Sequence, residues 1–338
     1  MFVEMFYYEK GVFMNNQLDE QIQQANYMIS LCKKEIAKRV VGQEEMIENV
    51  LMGIIAGGHV LLEGVPGLAK TLVVRTIAEI MDASFKRIQF TPDLLPADLI
   101  GTMIYRPQTG EFTPRKGPVF SNIILADEIN RAPAKVQSAL LEAMQERQVT
   151  LGKETYDLDV PFFVLATQNP IEQEGTYPLP EAQLDRFIMK ILVTYPTNEE
   201  EIEVLRLMGV EKQIIVNKVI NKEKLSTLRN IAESIRVDRK IEEYIVALVS
   251  ASRELDRHKA DYVKYIEFGA SPRASIHLLL CSRIKALLQK RNFVLPEDVK
   301  DVAHNVLRHR IILTYEAESE ELSSDNVLSK ILEYIHVP

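Results

Sequence analysis

Gly64-Val65-Pro66-Gly67-Leu68-Ala69-Lys70-Thr71 follows directly on the apolar run His59-Val60-Leu61-Leu62-Glu63 and leads into the helix-forming residues 72–81. A buried strand, a Gly/Pro turn, a Lys-Thr pair and then a helix form the layout of a phosphate-binding loop. The residue types follow from the chemistry. Backbone N–H groups of a tight loop and a helix N-terminus converge on one spot and carry partial positive charge, so they hold phosphate oxygens with little help from side chains. Gly64 and Gly67 let the backbone curl closely. Lys70 supplies a mobile point charge for β- and γ-phosphates, and the Thr71 hydroxyl is placed to ligate Mg²⁺. The nucleotide is expected to lie along Gly64, Val65, Pro66, Gly67, Leu68, Ala69, Lys70, Thr71 and Leu72. Where such loops usually have a third glycine, just before the lysine, this chain has Ala69, the smallest side chain after glycine.

Around this loop the chain has 338 residues, 46% hydrophobic and 26% charged, enough to bury a full core and to form two domains. The formal net charge of −8 argues against a protein whose main task is coating nucleic acid. Cys32 and Cys281 lie far apart, with neither zinc spacing nor a disulfide framework, and are expected to be buried thiols in a reducing cytoplasm. No apolar run approaches a membrane span. The aromatic start (Phe2, Phe6, Tyr7, Tyr8, Phe13) carries Glu4 and Glu9 and lacks the basic region of a signal peptide.

Residues 1–16 read as an N-terminal extension that either packs on a neighbouring surface or stays mobile. Residues 18–40 and 44–56 have helical periodicity and bracket the turn Val41-Gly42-Gln43. From His59 onward, apolar strands alternate with helical stretches, the pattern of a parallel sheet covered on both faces. Five strands are expected, at 60–62, 85–90, 122–126, 162–166 and 187–193. Between the second and third lies an excursion, residues 91–120, with five prolines. It should hold a short helical piece at 93–100 and a hairpin turning at Gln108-Thr109-Gly110. A second hairpin, 148–151 with 155–158, precedes the fourth strand. Beyond Pro196 the strands stop and only helices are expected, so the domains are predicted as 17–196 and 197–338, joined at Tyr195-Pro196-Thr197.

A phosphate loop alone only binds. Hydrolysis also needs a carboxylate for Mg²⁺, a group to orient water, and cations against the charge of the transferring phosphoryl. Ile123-Ile124-Leu125-Ala126-Asp127-Glu128 supplies the first two, because paired carboxylates at the end of a buried strand are costly unless they face a metal or a polar site. Asp127 would hold Mg²⁺ and Glu128 would polarise the attacking water. The fourth strand ends Ala166-Thr167-Gln168-Asn169-Pro170, polar where ligands gather in open α/β sheets; the Asn169 amide can donate to phosphate and hold water. Arg186 stands just ahead of the fifth strand. Arg273 falls in the first turn of a later helix, where a cation is disfavoured, so it should have an anionic partner, with a structural carboxylate serving as well as a ligand.

Taken together, the loop at 64–71, Asp127-Glu128-Ile129-Asn130-Arg131-Ala132-Pro133, Asn169, Arg186 and Ser271-Pro272-Arg273 resemble an AAA+ ATPase, and more narrowly the MoxR family, kin of the magnesium chelatase ATPase subunit. Gly-Val-Pro-Gly-Leu-Ala-Lys-Thr, with alanine before the lysine, is the form that this family uses, and Leu-Leu-Glu-Ala-Met-Gln-Glu is similarly characteristic. The resemblance spans roughly residues 35–310. It implies an α/β P-loop core with a five-stranded parallel sheet and hairpin insertions, followed by an all-helical lid. It makes Lys70 and Thr71 the phosphate and Mg²⁺ ligands, Asp127 the metal carboxylate, Glu128 the catalytic base and Asn169 the sensor of the γ-phosphate. Arg186 becomes an arginine finger reaching the neighbouring subunit's nucleotide, Arg273 a second sensor, and Val41, Gly42 and Gln43 the adenine-side turn. It further implies a hexameric ring, a partner with a von Willebrand factor A domain bearing a metal-ion-dependent adhesion site, and the two hairpins as features of its clade.

The function expected from this is ATP-driven chaperoning that remodels or matures a protein partner, including by metal or cofactor insertion. Two other readings stay open at this stage. A DNA-directed motor is kept alive by Arg106, Arg115 and Lys116 near the first hairpin, and a binding switch with little turnover would use the loop without the hydrolytic groups.

Overall fold

The sheet forms because β1 (His59–Glu63) and the strands at 123–127, 163–168 and 187–192 are largely apolar runs that a parallel sheet with helices on both faces can bury, while the strand at 85–89 is polar and lies at an edge. The computed structural model describes residues 2–65, 67–170, 175–208, 214–254 and 260–337, without the side chains of residues 2–16 and 208. They fall into two compact units, Lys33–Lys222 and the pair Met1–Cys32 with Glu223–Pro338. The units divide at 32/33 and 222/223, both inside helices.

Helix α1 (Phe2–Ala37) is one continuous helix, so residues 2–16 extend the helix expected at 18–40. Helix α2 (Glu44–Ala56) leads to β1 (His59–Glu63), α3 (Lys70–Ile80) and β2 (Phe85–Gln89). The excursion follows as α4 (Pro96–Ile100), β3 (Gly101–Arg106) and β4 (Glu111–Lys116), and the chain returns to the sheet with β5 (Ile123–Asp127). Helix α4 is shorter than the expected 93–100, because Pro96 fits its first turn and Asp98 accepts the Leu95 N–H at 2.8 Å, fixing the start there. Then come α5 (Ala134–Glu146), the hairpin β6 (Gln148–Leu151) and β7 (Glu154–Asp157), β8 (Phe163–Gln168), α6 (Glu181–Leu184), β9 (Phe187–Leu192) and α7 (Asn198–Met208).

The five sheet strands run parallel in the order β2-β5-β8-β1-β9. Leu61, Ile124, Val164 and Ala166 of the central strands pack with Val136, Leu140 and Leu141 of α5 in one cluster. Burying each large aliphatic side chain of this kind contributes about 1.5–3 kcal/mol. His59 opens β1 inside this core. Its Nε2 donates to the Met144 carbonyl at 3.1 Å and its Nδ1 accepts the Val164 N–H at 3.0 Å, and burial pushes its pKa down to about 4.

The first hairpin pairs Tyr105 with Phe112, ring centroids 5.3 Å apart, and both side chains are more than half exposed. At its base, Lys116 lies over the rings of Phe120 and of Tyr156 on the second hairpin, at 4.8 and 5.1 Å. The two hairpins are thereby braced against each other while the tip projects.

The other unit is built on α8 (Lys222–Ser234), α9 (Arg239–Ala251), α10 (Pro272–Leu288), α11 (Pro296–Leu307), α12 (Tyr315–Ser319) and α13 (Ser324–Tyr334). Asp238, Ser271 and Ser323 cap α9, α10 and α13 by accepting backbone N–H bonds. It is helical as expected, with one correction: β10 (Ile266–Phe268) pairs antiparallel with β11 (Ile312–Leu313). Strands of three and two residues are too short to show an alternating pattern.

Candidate functional site

The carboxyl ends of β1, β5 and β8 are where the sheet turns from buried to half-exposed, at Glu63, Asp127 and Gln168. A cleft of about 390 Å³ opens there, lined by Gly64, Gly67, Leu68, Ala69, Lys70, Thr71, Leu72, Arg87, Asp127, Glu128, Thr167, Gln168 and Asn169. Of the predicted loop residues, Val65 does not line it and Pro66 lies outside the described residues.

The loop's shape has physical causes at three positions. A side chain at Gly64 would place its Cβ 2.7 Å from the Val193 carbonyl oxygen, so the first glycine is required by the approach of the backbone that follows β9. Gly67 has φ +88°, and a Cβ there would project into open space, which leaves its backbone free to face a ligand. Ala69 also adopts a left-handed conformation (φ 54°) as it starts α3. Glycine takes this conformation freely, and alanine does so at a cost of about 1 kcal/mol. Lys70 Nζ donates to the Gly64 carbonyl. Burial lowers the Lys70 pKa, against the pull of Asp127, Glu128 and Glu63, which favour its charged form.

Register brings the acidic groups together. Ala126 stands level with Ala166, and Gln89 with Asp127. The buried Thr167 hydroxyl therefore donates to Asp127 Oδ1 at 2.7 Å and accepts the Glu128 N–H at 2.9 Å. Arg87 grips the other Asp127 oxygen, Oδ2, through Nε at 3.0 Å and Nη2 at 2.6 Å, and Nη2 also donates to Gln89 Oε1 at 2.9 Å. Gln89 Nε2 in turn donates to Glu128 Oε2 at 2.8 Å, and Arg131 Nε stands 3.1 Å from the same oxygen. Glu128 itself has a left-handed backbone (φ 55°), a conformation that costs of order 1–3 kcal/mol and persists where surrounding bonds enforce it, here the Thr167 hydroxyl on its N–H.

Thr71 and Asp127 offer a hydroxyl and a carboxylate to one cleft beside the loop, a hard-oxygen set that suits Mg²⁺ held jointly with phosphate and water. The groups fit that ion. Among the described residues no cluster of three or more His, Cys, Asp or Glu side chains could hold a metal alone.

Asn169 is buried at the cleft wall. Arg186 is not among the residues lining the cleft; its Nη1 donates to the Leu141 carbonyl at 2.7 Å. Arg273 belongs to the helical unit, where its N–H donates to Ser271 Oγ at 3.2 Å. At the turn Val41-Gly42-Gln43, Gln43 is left-handed (φ 57°) and its amide donates to the Thr194 carbonyl at 3.1 Å, while Gly42 lines a separate concavity with Val40 and Ile47. Sequence reasoning missed Arg87, Gln89 and Thr167. The signal for the first two was the polar alternation Arg87-Ile88-Gln89 on a strand otherwise expected to be buried.

Comparison with known proteins agrees with this geometry. The family described as ATPase family associated with various cellular activities (AAA) matches residues 59–189, and the AAA lid domain matches 262–331. Chaperone MoxR1 of Mycobacterium tuberculosis is 49% identical over 305 residues, 90% of this chain and 81% of that protein. Protein MoxR of Methylorubrum extorquens is 31% identical over 90% of this chain and 94% of its own length. A solved structure from Cytophaga hutchinsonii superposes with a TM-score of 0.89 at 51% identity, covering 96% of this chain and 99% of that one.

Proposed function

Because the chain belongs to the MoxR-type AAA+ ATPases, we propose that it binds ATP with Mg²⁺ in the cleft at the sheet's carboxyl end, hydrolyses it, and uses the cycle to remodel or mature a protein partner. Metal or cofactor insertion into that partner is one form this work would take. The observation that carries the reading is the convergence of the Gly64–Leu72 loop residues, Asp127, Glu128 and Asn169 on one cleft. Lys70 and the loop N–H groups would bind the phosphates, Thr71 and Asp127 would hold Mg²⁺, and Glu128 would orient water toward the γ-phosphate. Bound Mg²⁺ supplies charge neutralisation to the phosphoryl group. Asn169 would sense that group, Arg273 would act as a second sensor, and the Val41–Gln43 turn would flank the adenine. Family membership is the ground for expecting a hexameric ring, a cytoplasmic location and a partner with a von Willebrand factor A domain. No helix among the described residues is long and apolar enough to cross a membrane.

Arg186 is proposed to complete the neighbouring subunit's site, since an arginine finger supplied in trans is worth roughly a thousandfold or more in rate. Its absence from the lining of its own cleft supports this. Arg186→Ala and Lys70→Ala proteins are expected to be nearly inactive alone and to recover ATPase when mixed, because a mixed interface pairs an intact finger with an intact loop. Mixed oligomers that form without any recovery would count against action in trans.

The first hairpin is proposed as the element that touches the client. Tyr105 and Phe112 brace its two arms and leave the turn at 107–110 free for contact, and of Arg106, Arg115 and Lys116, which kept a nucleic-acid reading open, Arg106 donates to Thr113 and Lys116 lies over aromatic rings. Replacing residues 107–111 by a two-residue Asn-Gly turn should leave ATPase within about a factor of three, since changes distant from a site rarely exceed ~1 kcal/mol. Client activation should be lost. Loss of ATP binding by the folded variant, or unchanged client activation, would each overturn this role.

A further inference from the structure

Three carboxylates stand around Lys70, and each has its own cation: Glu63 with Lys190 at 2.7 Å, Glu128 with Arg131 at 3.1 Å, and Asp127 with Arg87 at 2.6 Å. Only the last pair lines the cleft through both of its members. Arg87 places two N–H groups on one oxygen, Asp127 Oδ2, while the Thr167 hydroxyl occupies Oδ1. Both oxygens that a divalent cation or its water shell would use are therefore already accepting hydrogen bonds. The Thr167 hydroxyl can rotate and serve as acceptor to a water. A guanidinium has no acceptor and cannot lose its proton, so it can only stay as a competing charge or leave.

The fold does not depend on the Arg87 pair. The Arg87 side chain is 50% exposed and stands on the edge strand β2, and an ion pair of that exposure contributes little to stability. Its long side chain can swing into solvent without opening the core. Resting on the reading of Asp127 as the metal carboxylate, we propose that Arg87 is a resident counter-cation of that carboxylate, and that an arriving divalent ion displaces it from Oδ2. Arg87 thereby sets the metal affinity of the site from outside the metal's own ligand set. It is a positioning residue: it keeps Asp127 oriented and paired, and the exchange of one cation for another spares the cleft an uncompensated carboxylate.

Mn²⁺ binding to the full-length protein, followed by electron paramagnetic resonance with ADP held saturating, tests this without turnover. Arg87→Gln should bind Mn²⁺ about tenfold more tightly than wild type, because a unit positive charge is removed from within a few ångströms of the divalent ion. Arg87→Lys, which keeps the charge and loses the two-pronged grip, should fall between the two. Asp127→Asn should weaken binding. If Asp127→Asn weakens Mn²⁺ binding while Arg87→Gln leaves it unchanged or weaker, the counter-cation proposal falls and Asp127 keeps its role. If Asp127→Asn binds Mn²⁺ as tightly as wild type, the assignment of Asp127 fails and the proposal with it.

Discussion

Glu128→Gln is expected to keep ATP binding and to lose at least about a hundredfold in hydrolysis, the scale of a lost general base. The structure supplies the reason for the separation. The loop residues and Lys70 make their approach to the cleft without Glu128, whose carboxylate is held by Gln89 and Arg131 rather than by the loop. Glutamine keeps the shape and can still meet both partners, while losing the charge proposed to polarise water. The left-handed backbone at Glu128 is enforced by Thr167 on the main-chain N–H, so the substitution leaves that restraint in place. Steady-state turnover set beside calorimetric ATP affinity checks the expectation. Near-normal turnover would remove Glu128 from the mechanism, and joint loss of affinity and turnover would make it a binding residue.

Lowering the pH from 7 to 5 should cost about 2 kcal/mol of folding stability through His59 alone. Its folded pKa is depressed from 6.5 to about 4, first by burial, with Arg147 adding to the effect. The unfolded chain therefore takes up the proton first. The stabilising contribution is complete above pH 6.5, falls through the window from 6.5 to 4, and is exhausted below it, a total of about 3 kcal/mol. Geometry gives the same sign: a proton on Nδ1 would face the Val164 N–H, which now donates to that atom. Denaturant unfolding at the two pH values measures the slope. His59→Gln, which keeps a polar group and has no proton to gain in this range, should flatten it. An equal slope in wild type and variant would contradict the assignment.

What the sequence made legible was whatever chemistry forces on residue type locally. The glycines, Lys70 and Thr71 are read from one stretch because a phosphate loop is made of consecutive residues. Asp127 and Glu128 are read because acidic residues ending an apolar strand have few innocent explanations. Four of the five sheet strands were legible as largely apolar runs, and the edge strand Phe85–Gln89 by its place between two helical stretches. Arg87, Gln89 and Thr167 were not, because their importance comes from register: Gln89 lies level with Asp127, and Ala126 with Ala166, only once the order β2-β5-β8 exists. The short β10–β11 pair and the unbroken run of α1 were missed for a related reason. Neither has a local signal strong enough to outweigh the helical or irregular patterns around it.

Whether this cleft cleaves ATP rather than merely holding it is tested most directly by rapid-quench single-turnover measurement with Mg²⁺ and excess protein. Wild type should convert bound ATP to ADP and phosphate, while Glu128→Gln should hold bound ATP at least about a hundredfold longer. If both proteins retain ATP uncleaved the chain is a nucleotide-dependent switch, and if both cleave it at the same rate the chemistry lies with groups other than Glu128; either result would contradict the account.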